Sequence, residues 1–146
     1  MALPVVLIAE TLADRPAAWL GERAVLRWAA GRSRAALAAE LPEAEALIVR
    51  TYTRVDAALL DQAPKLKVIG RAGVGLDNID LEACRQRGIR VVYTPNANTQ
   101  AVVEYVFALM LDAYRPRPLL SGPTDAETFH ELRQSQVGTQ IESFTL

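Results

Sequence analysis

The chain has one cysteine and one histidine in its 146 residues. A single thiol, Cys84, cannot close an internal disulfide, and this usage points to a reducing compartment. Cys84 falls within a predicted helix, where its ordinary role is a small buried apolar side chain. The lone His130 is far from it in sequence, so no transition-metal site is expected. No Ser-His-Asp arrangement has a supporting spacing either. Lysine is scarce beside arginine, and the formal net charge is -1. That balance removes any general electrostatic attraction for nucleic acid or an anionic membrane. Long apolar runs are also missing. The run from Val102 to Leu111 is broken by Glu104 and stops at Asp112, far short of the roughly 20 residues a membrane helix needs. The apolar run at the amino terminus follows no basic segment and is too short for a secretory signal. A soluble, cytoplasmic protein with no membrane partner is the expectation. Finally, no G-x-G-x-x-G occurs anywhere, so the dinucleotide-binding fingerprint is lacking.

What is present suits one domain with a sizeable core. Hydrophobic residues make up 51% of the chain and charged residues 23%, within reach of an ordinary globular composition. Short apolar runs predict strands at 4–9, 46–49, 66–70 and 89–93. Residues 24–29 read as a further strand or equally as a helix end. Between these runs lie helical patterns. Asp14 and Pro16 start a short helix over 15–21. Ser33 caps one reaching about Leu41, which Pro42 ends. Another runs from Asp56 to Gln62. Asp77 is the expected cap of a helix through about Arg87, with Asn78 and Asp80 adding to the cap and Gly88 closing it. Such alternation means α/β with a parallel sheet. Five strands suit a flavodoxin-like order of 2-1-3-4-5, although spacing alone leaves the order open.

After Thr94–Asn98 comes the longest predicted helix, 99–115, about 25 Å long at 1.5 Å per residue. Val102, Val103, Val106, Phe107, Leu109, Met110 and Leu111 cover too much of its circumference for a helix facing one core. A second layer or a partner is implied. Residues 116–146 are rich in Pro, Gln and Ser, with a weak helix start at 124–127 and little to bury.

In an open α/β sheet, ligands bind beyond the carboxyl ends of the strands. Three loops fall there: Arg50–Arg54, Arg71–Asp77 and Thr94–Asn98. They bring guanidinium groups, hydroxyls, side-chain amides and glycine-exposed N–H groups, an inventory suited to a small anionic acid. The run Lys67-Val-Ile-Gly-Arg-Ala-Gly-Val-Gly-Leu-Asp-Asn-Ile-Asp80 is the most pointed of these. A buried strand gives way to a glycine-spaced loop and then to a helix. Gly73 and Gly75 allow a sharp turn and bare N–H groups, with Val74 and Gly75 best placed to aim theirs into the cleft.

This run resembles the NAD-dependent dehydrogenases specific for D-2-hydroxyacids, most nearly the branch acting on 3-phosphoglycerate. The resemblance extends along the whole chain. It implies that Ala72, Gly73, Val74 and Gly75 offer main-chain N–H groups to the substrate carboxylate, and that Arg50 and Thr51 belong to a second substrate-side loop. It implies that Asn96 and Asn98 form a hinge at the first crossing between domains, with Glu104 tying down that crossing. Residues 1–98 would then be the flavodoxin-like substrate-binding domain. Residues 99–115 would be an inter-domain helix that also serves a homodimer, and 116–146 a connector toward a nucleotide-binding domain, with Thr145-Leu146 opening its first strand. The family's catalytic arginine, glutamate and histidine lie in or beyond that further domain. No catalytic residue is therefore expected here, and His130, in the connector, is not the base. NAD is the cofactor of the intact family, and none is expected on this chain.

The implied function is the substrate-binding part of an oxidoreductase that moves a hydride between NAD and a D-2-hydroxy acid, inactive as this fragment. The alternative is a non-catalytic dimerisation or small-anion-sensing domain of the same fold. A receiver-type signalling domain would want paired aspartates after its first strand. Glu10 stands there alone, followed by Thr11 and Leu12.

Overall fold

The computed structural model describes residues 2–29, 34–115 and 122–135. Five short strands, β1 (Val5–Ile8), β2 (Val25–Trp28), β3 (Ala46–Val49), β4 (Val68–Arg71) and β5 (Arg90–Tyr93), form one sheet in the order β2-β1-β3-β4-β5. Every adjacent pair is parallel. The flavodoxin-like order is thus the observed one, and residues 24–29 resolve as a strand. Register places Leu7, Leu47, Ile69 and Val91 in one rung across four strands. Leu7, Leu47 and Ile69 are fully buried, as the centre of a parallel sheet requires.

That rung belongs to the main core. Three helices supply its other side: α2 (Arg34–Glu40), α3 (Ala57–Leu60) and α4 (Leu81–Gln86). Leu37, Leu59, Leu60, Ala83 and Cys84 are their buried members. Each large side chain buried this way stabilises the fold by about 1.5–3 kcal/mol. Cys84 has the bland role expected of it: burial pushes its thiol up, as does nearby Asp80, and the group is held as the neutral thiol. Helix α1 (Asp14–Gly21) serves the opposite face, where Trp19 and Leu20 share a hollow with Ile48 and Val92.

Several element ends differ from the sequence reading. Pro42 does not terminate the chain's helical path but sits in a single 3-10 turn, Leu41–Glu43, that continues from α2. A proline fits the first positions of such a turn because its missing N–H has no partner to lose. Ser33, the expected cap of α2, lies outside the described residues. The helix after the glycine loop starts later than expected. Asp80, not Asp77, is its cap, with Oδ1 accepting from Ala83 N at 2.9 Å. The delay has a packing reason. Ile79 is buried and forms an isolated parallel bridge with Val55, so the chain stays extended for one more residue before it can coil. Gly88 follows α4 with φ of 67°, the left-handed region that glycine enters without steric cost.

The chain divides into two compact units, residues 1–97 and 98–146. The sheet and its helices make up the first. The second contains α5 (Thr99–Tyr114) and α6 (Ala126–Ser135). No residue of α5 is buried, and Val102, Val103, Val106, Phe107, Leu109 and Leu111 are exposed. Helix α6 starts at Asp125, whose carboxylate accepts from Thr128 N and Oγ1. Segments 116–121 and 136–146 of the expected connector, including Thr145-Leu146, lie outside the described residues. Among the described residues, no helix is long and apolar enough to cross a membrane.

Candidate functional site

The parallel sheet delivers β1, β3 and β4 to one edge at their carboxyl ends. Each strand ends in a residue with a polar task there: Glu10 after β1, Arg50 after β3 and Arg71 at the end of β4. The chemistry of the edge follows from how these three groups are held.

The segment 50–53 is wrapped around the Glu10 carboxylate. Oε1 accepts from Arg50 N at 2.9 Å and Thr53 N at 3.0 Å. Oε2 accepts from Thr51 N at 3.0 Å. Tyr52 N is shared between both oxygens at 3.2 Å. Burial raises the Glu10 pKa, but the four backbone donors outweigh it, and the carboxyl sits at about 2. Hydrogen bonds to the charged form of an acid always act in this direction. Next to Glu10, Thr11 Oγ1 accepts from Arg50 Nη1 at 2.8 Å. Glu10, Thr11, Arg50, Thr51 and Tyr52 line an open hollow of about 300 Å³.

The glycine loop lies beside this segment and is fastened to it. Asn78 Nδ2 donates to Arg50 O at 3.0 Å and to Thr53 O at 2.7 Å. Val55 N donates to Asn78 O, and Asp80 N donates to Val55 O. Asn78 is therefore a cross-brace between loops and not, as the sequence suggested, an addition to a helix cap. At the start of the glycine loop the N–H groups of Ala72 and Gly73 donate to Val49 O and Arg71 O, each at 2.9 Å, so these two do not offer the free main-chain donors that the resemblance implied; Thr94 N donates to Gly73 O at 3.2 Å. Among the described residues, the N–H groups of Val74 and Gly75 have no internal acceptor. Unpaired donors of this kind suit an external anion.

Arg71 is the site feature that the sequence reading passed over as a loop residue. It ends β4, and its Nη1 donates to Ala72 O at 3.0 Å. The guanidinium folds so closely over Gly73 that a Cβ at that position would overlap it. A side chain there would displace the flexible end of Arg71 from this position. Arg71 Nε is buried with no partner, a cost of about 1–3 kcal/mol. Its neighbours include an apolar hollow of about 250 Å³ against α1, lined by Leu12, Trp19, Val92 and Tyr93. Nothing in the spacing singles Arg71 out; the sheet register, which pairs it with Val49 just before Arg50, is what brings it to this edge.

Asn96 and Asn98 are exposed, and Asn98 makes no side-chain cap to α5. The division between the two units falls between them. Glu104 accepts from Gln100 Nε2 within α5. His130 lies on α6 beside Gln134. Among the described residues, no group of three His, Cys, Asp or Glu side chains is placed to hold a metal ion.

The starts of α3 and α4 bear on nucleotide binding. Each is closed by the chain's own carboxylate: Asp56 accepts from Leu59 N, and Asp80 accepts from Ala83 N. A pyrophosphate needs such N–H groups and a positive field. Here both are met by resident negative charge, as Glu10 meets those of 50–53. These residues do not fit an NAD cradle.

Residues 6–143 match the catalytic domain of the D-isomer specific 2-hydroxyacid dehydrogenases. The D-3-phosphoglycerate dehydrogenase of Mycobacterium tuberculosis is 46% identical over 141 residues, which is 97% of this chain and 26% of that protein. The chain thus spans about a quarter of the length of this curated relative. A 2-hydroxyacid dehydrogenase from Ketogulonicigenium vulgare superimposes with a TM-score of 0.68 at 31% identity, over 79% of this chain and 37% of that one. An NAD-bound 3-phosphoglycerate dehydrogenase of Entamoeba histolytica gives 0.65 at 26% identity, over 77% and 40%.

Proposed function

The chain belongs to the D-isomer specific 2-hydroxyacid dehydrogenase family, and from that premise we propose that it is the substrate-binding part of such an oxidoreductase. The reaction class is hydride transfer between NAD and a D-2-hydroxy acid, and 3-phosphoglycerate is the proposed acid. The observation that carries this reading is the pair of free N–H groups at Val74 and Gly75, in a loop that follows Arg71 and is braced through Asn78 to the loop that follows Arg50. A 2-hydroxy acid presents one carboxylate, and 3-phosphoglycerate adds a phosphate. Two main-chain donors with two guanidinium groups match that charge pattern. Arg50, Thr51, Val74 and Gly75 are the proposed substrate contacts, Ala72 and Gly73 shape the loop that presents them, and Arg71 joins them.

NAD is the family's hydride carrier, but these residues make no cradle for it, and no step is assigned to it here. By itself the chain is expected to bind acid weakly and to catalyse nothing. Residues 1–98 are proposed as the substrate-binding domain, Asn96 and Asn98 as its hinge, and 116–146 as a connector. The exposed apolar surface of α5 favours a role for 99–115 in inter-domain packing and a homodimer. A cytoplasmic setting is proposed from the unpaired, buried Cys84. The rival role, a non-catalytic sensor of small anions, would use the same loops.

Calorimetric titration separates these readings. The 146-residue chain should bind 3-phosphoglycerate in the millimolar range and show no heat with NAD. A micromolar dissociation constant for NAD would mean the cofactor reading is wrong. Equal binding of phosphate, acetate and 3-phosphoglycerate would favour the anion sensor.

A further inference from the structure

The two loops at the carboxyl edge are in opposite hydrogen-bond states. Residues 50–53 aim four consecutive N–H groups at one point, which makes an anion nest. Residues 74 and 75 offer N–H groups with no internal acceptor. Both loops would take a small carboxylate, yet only one is open. We infer that Glu10 is a positioning residue for the substrate edge: its carboxylate fills the nest at 50–53 from within, so that this loop presents the side chains of Arg50 and Thr51 while an incoming acid is directed to the amides of the glycine loop.

The inference rests on the substrate-binding reading above and adds what keeps the neighbouring loop, 50–53, closed to the anion. Three observations support it. Both Glu10 oxygens are used, in five contacts of 2.9–3.2 Å, so no amide from 50 to 53 is left for a ligand. Asn78 takes the carbonyls of Arg50 and Thr53, so the same segment is clamped through its donors by one side chain and through its acceptors by another. Thr11, the residue after Glu10, receives the Arg50 guanidinium. The end of β1 thereby fixes both the backbone and the charged tip of Arg50. Burial alone would raise the Glu10 pKa, and the backbone donors reverse that, which keeps the carboxylate ionised in the nest at neutral pH.

The test uses the ¹⁵N-labelled 146-residue chain in three forms: wild type, Glu10→Ala and Glu10→Gln. Formate is the probe for an emptied nest. In Glu10→Ala, formate should shift the amides of residues 50–53 and restore lost thermal stability, while in the wild type it should leave those amides unmoved. Equal formate responses in the two proteins would overturn the inference. Glu10→Gln keeps the side-chain volume and one acceptor oxygen, and covers the case in which Glu10→Ala does not fold. Its amides at 50–53 should exchange with solvent about tenfold faster, with Leu47 and Ile69 unchanged. Unchanged exchange at 50–53 would also overturn it. In the wild type, 3-phosphoglycerate should shift 74 and 75 and the Arg50 side chain but not the amides of 51–53. Shifts centred on 51–53 would show that the nest is open to ligand and Glu10 is not its occupant. An absence of any 3-phosphoglycerate shift would count against the substrate reading alone, because the formate and exchange results decide the role of Glu10 without it.

Discussion

Glutamine at position 10 keeps the shape of the glutamate and removes its charge, which makes it a sharp probe of how the substrate edge is held together. In the wild type the carboxyl lies at about 2 against an ordinary 4.5. A gap of that size corresponds to roughly 3 kcal/mol at about 1.4 kcal/mol per tenfold change. Partial solvent exposure screens it, and roughly 1–2 kcal/mol is the expected net stabilisation at neutral pH. The folded state holds the proton less tightly than the unfolded chain. The stabilisation is therefore complete above the ordinary value of 4.5 and is lost as pH falls through about 2. Urea unfolding of the wild type and Glu10→Gln, followed by far-UV circular dichroism from neutral to strongly acidic pH, measures the difference. Other carboxylates are also held low: Glu43 by Lys65, Glu45 by Lys67, Asp56 by Arg34 and Glu82 by Arg85. They titrate in both proteins and cancel in the subtraction. The amide's own hydrogen bonds add an offset that does not change with pH. The wild-type advantage should thus shrink in acid toward that offset. A difference that stays constant across the range would refute the account of Glu10 as an ionised occupant of the nest.

Other outcomes follow from the same structure. Asp80→Ala should cost about 1 kcal/mol as the loss of an N-cap, whereas Asp77→Ala should stay within about 0.5 kcal/mol; urea midpoints giving the reverse order would restore Asp77 as the cap. Gly75→Val should abolish 3-phosphoglycerate shifts at 72–76 in the NMR spectrum. Its Cβ would press on Asp77 Oδ2 at 2.8 Å, but that side chain is exposed and can swing away, so circular dichroism should show the fold intact; persistent shifts in the folded variant would defeat the cradle. Val106→Glu with Met110→Lys, one helical turn apart on α5, should give a monomer in sedimentation with an unchanged far-UV spectrum. Unfolding would instead assign that face of α5 to an internal core.

Much of the fold was legible because each strand is a short apolar run and each crossover an amphipathic one. Leu47 and Ile69 sit where alternation put them, and Gly88 closes α4 as its position implied. The strand order was not written in the spacing; it came with the family resemblance of the Lys67–Asp80 run. The misplaced cap shows where local reading fails. Asp77 and Asp80 are equally good caps in isolation, and the choice was made by Ile79, which must reach Val55 before the helix can begin. The same limit hid the organisation of the site. Glu10 is forty residues from Arg50, and nothing local says that its carboxylate will meet four amides there. Asn78 looked like an addition to a helix cap because its partners, Arg50 and Thr53, belong to another loop. Arg71 was visible but was read as loop, since the strand's polar last residue broke the apolar run. For Asp80, Glu10 and Asn78 the missing information was a contact between distant segments.

The loops at 50–54 and 71–77 are the proposed acid-binding edge of a D-2-hydroxyacid dehydrogenase. The most direct measurement is a titration of the ¹⁵N-labelled chain with D-3-phosphoglycerate, followed residue by residue. The account predicts saturable shifts at Val74 and Gly75 and at the Arg50 and Arg71 guanidinium groups. Shifts confined to the apolar hollow beside α1, or none at any residue at millimolar ligand, would contradict it.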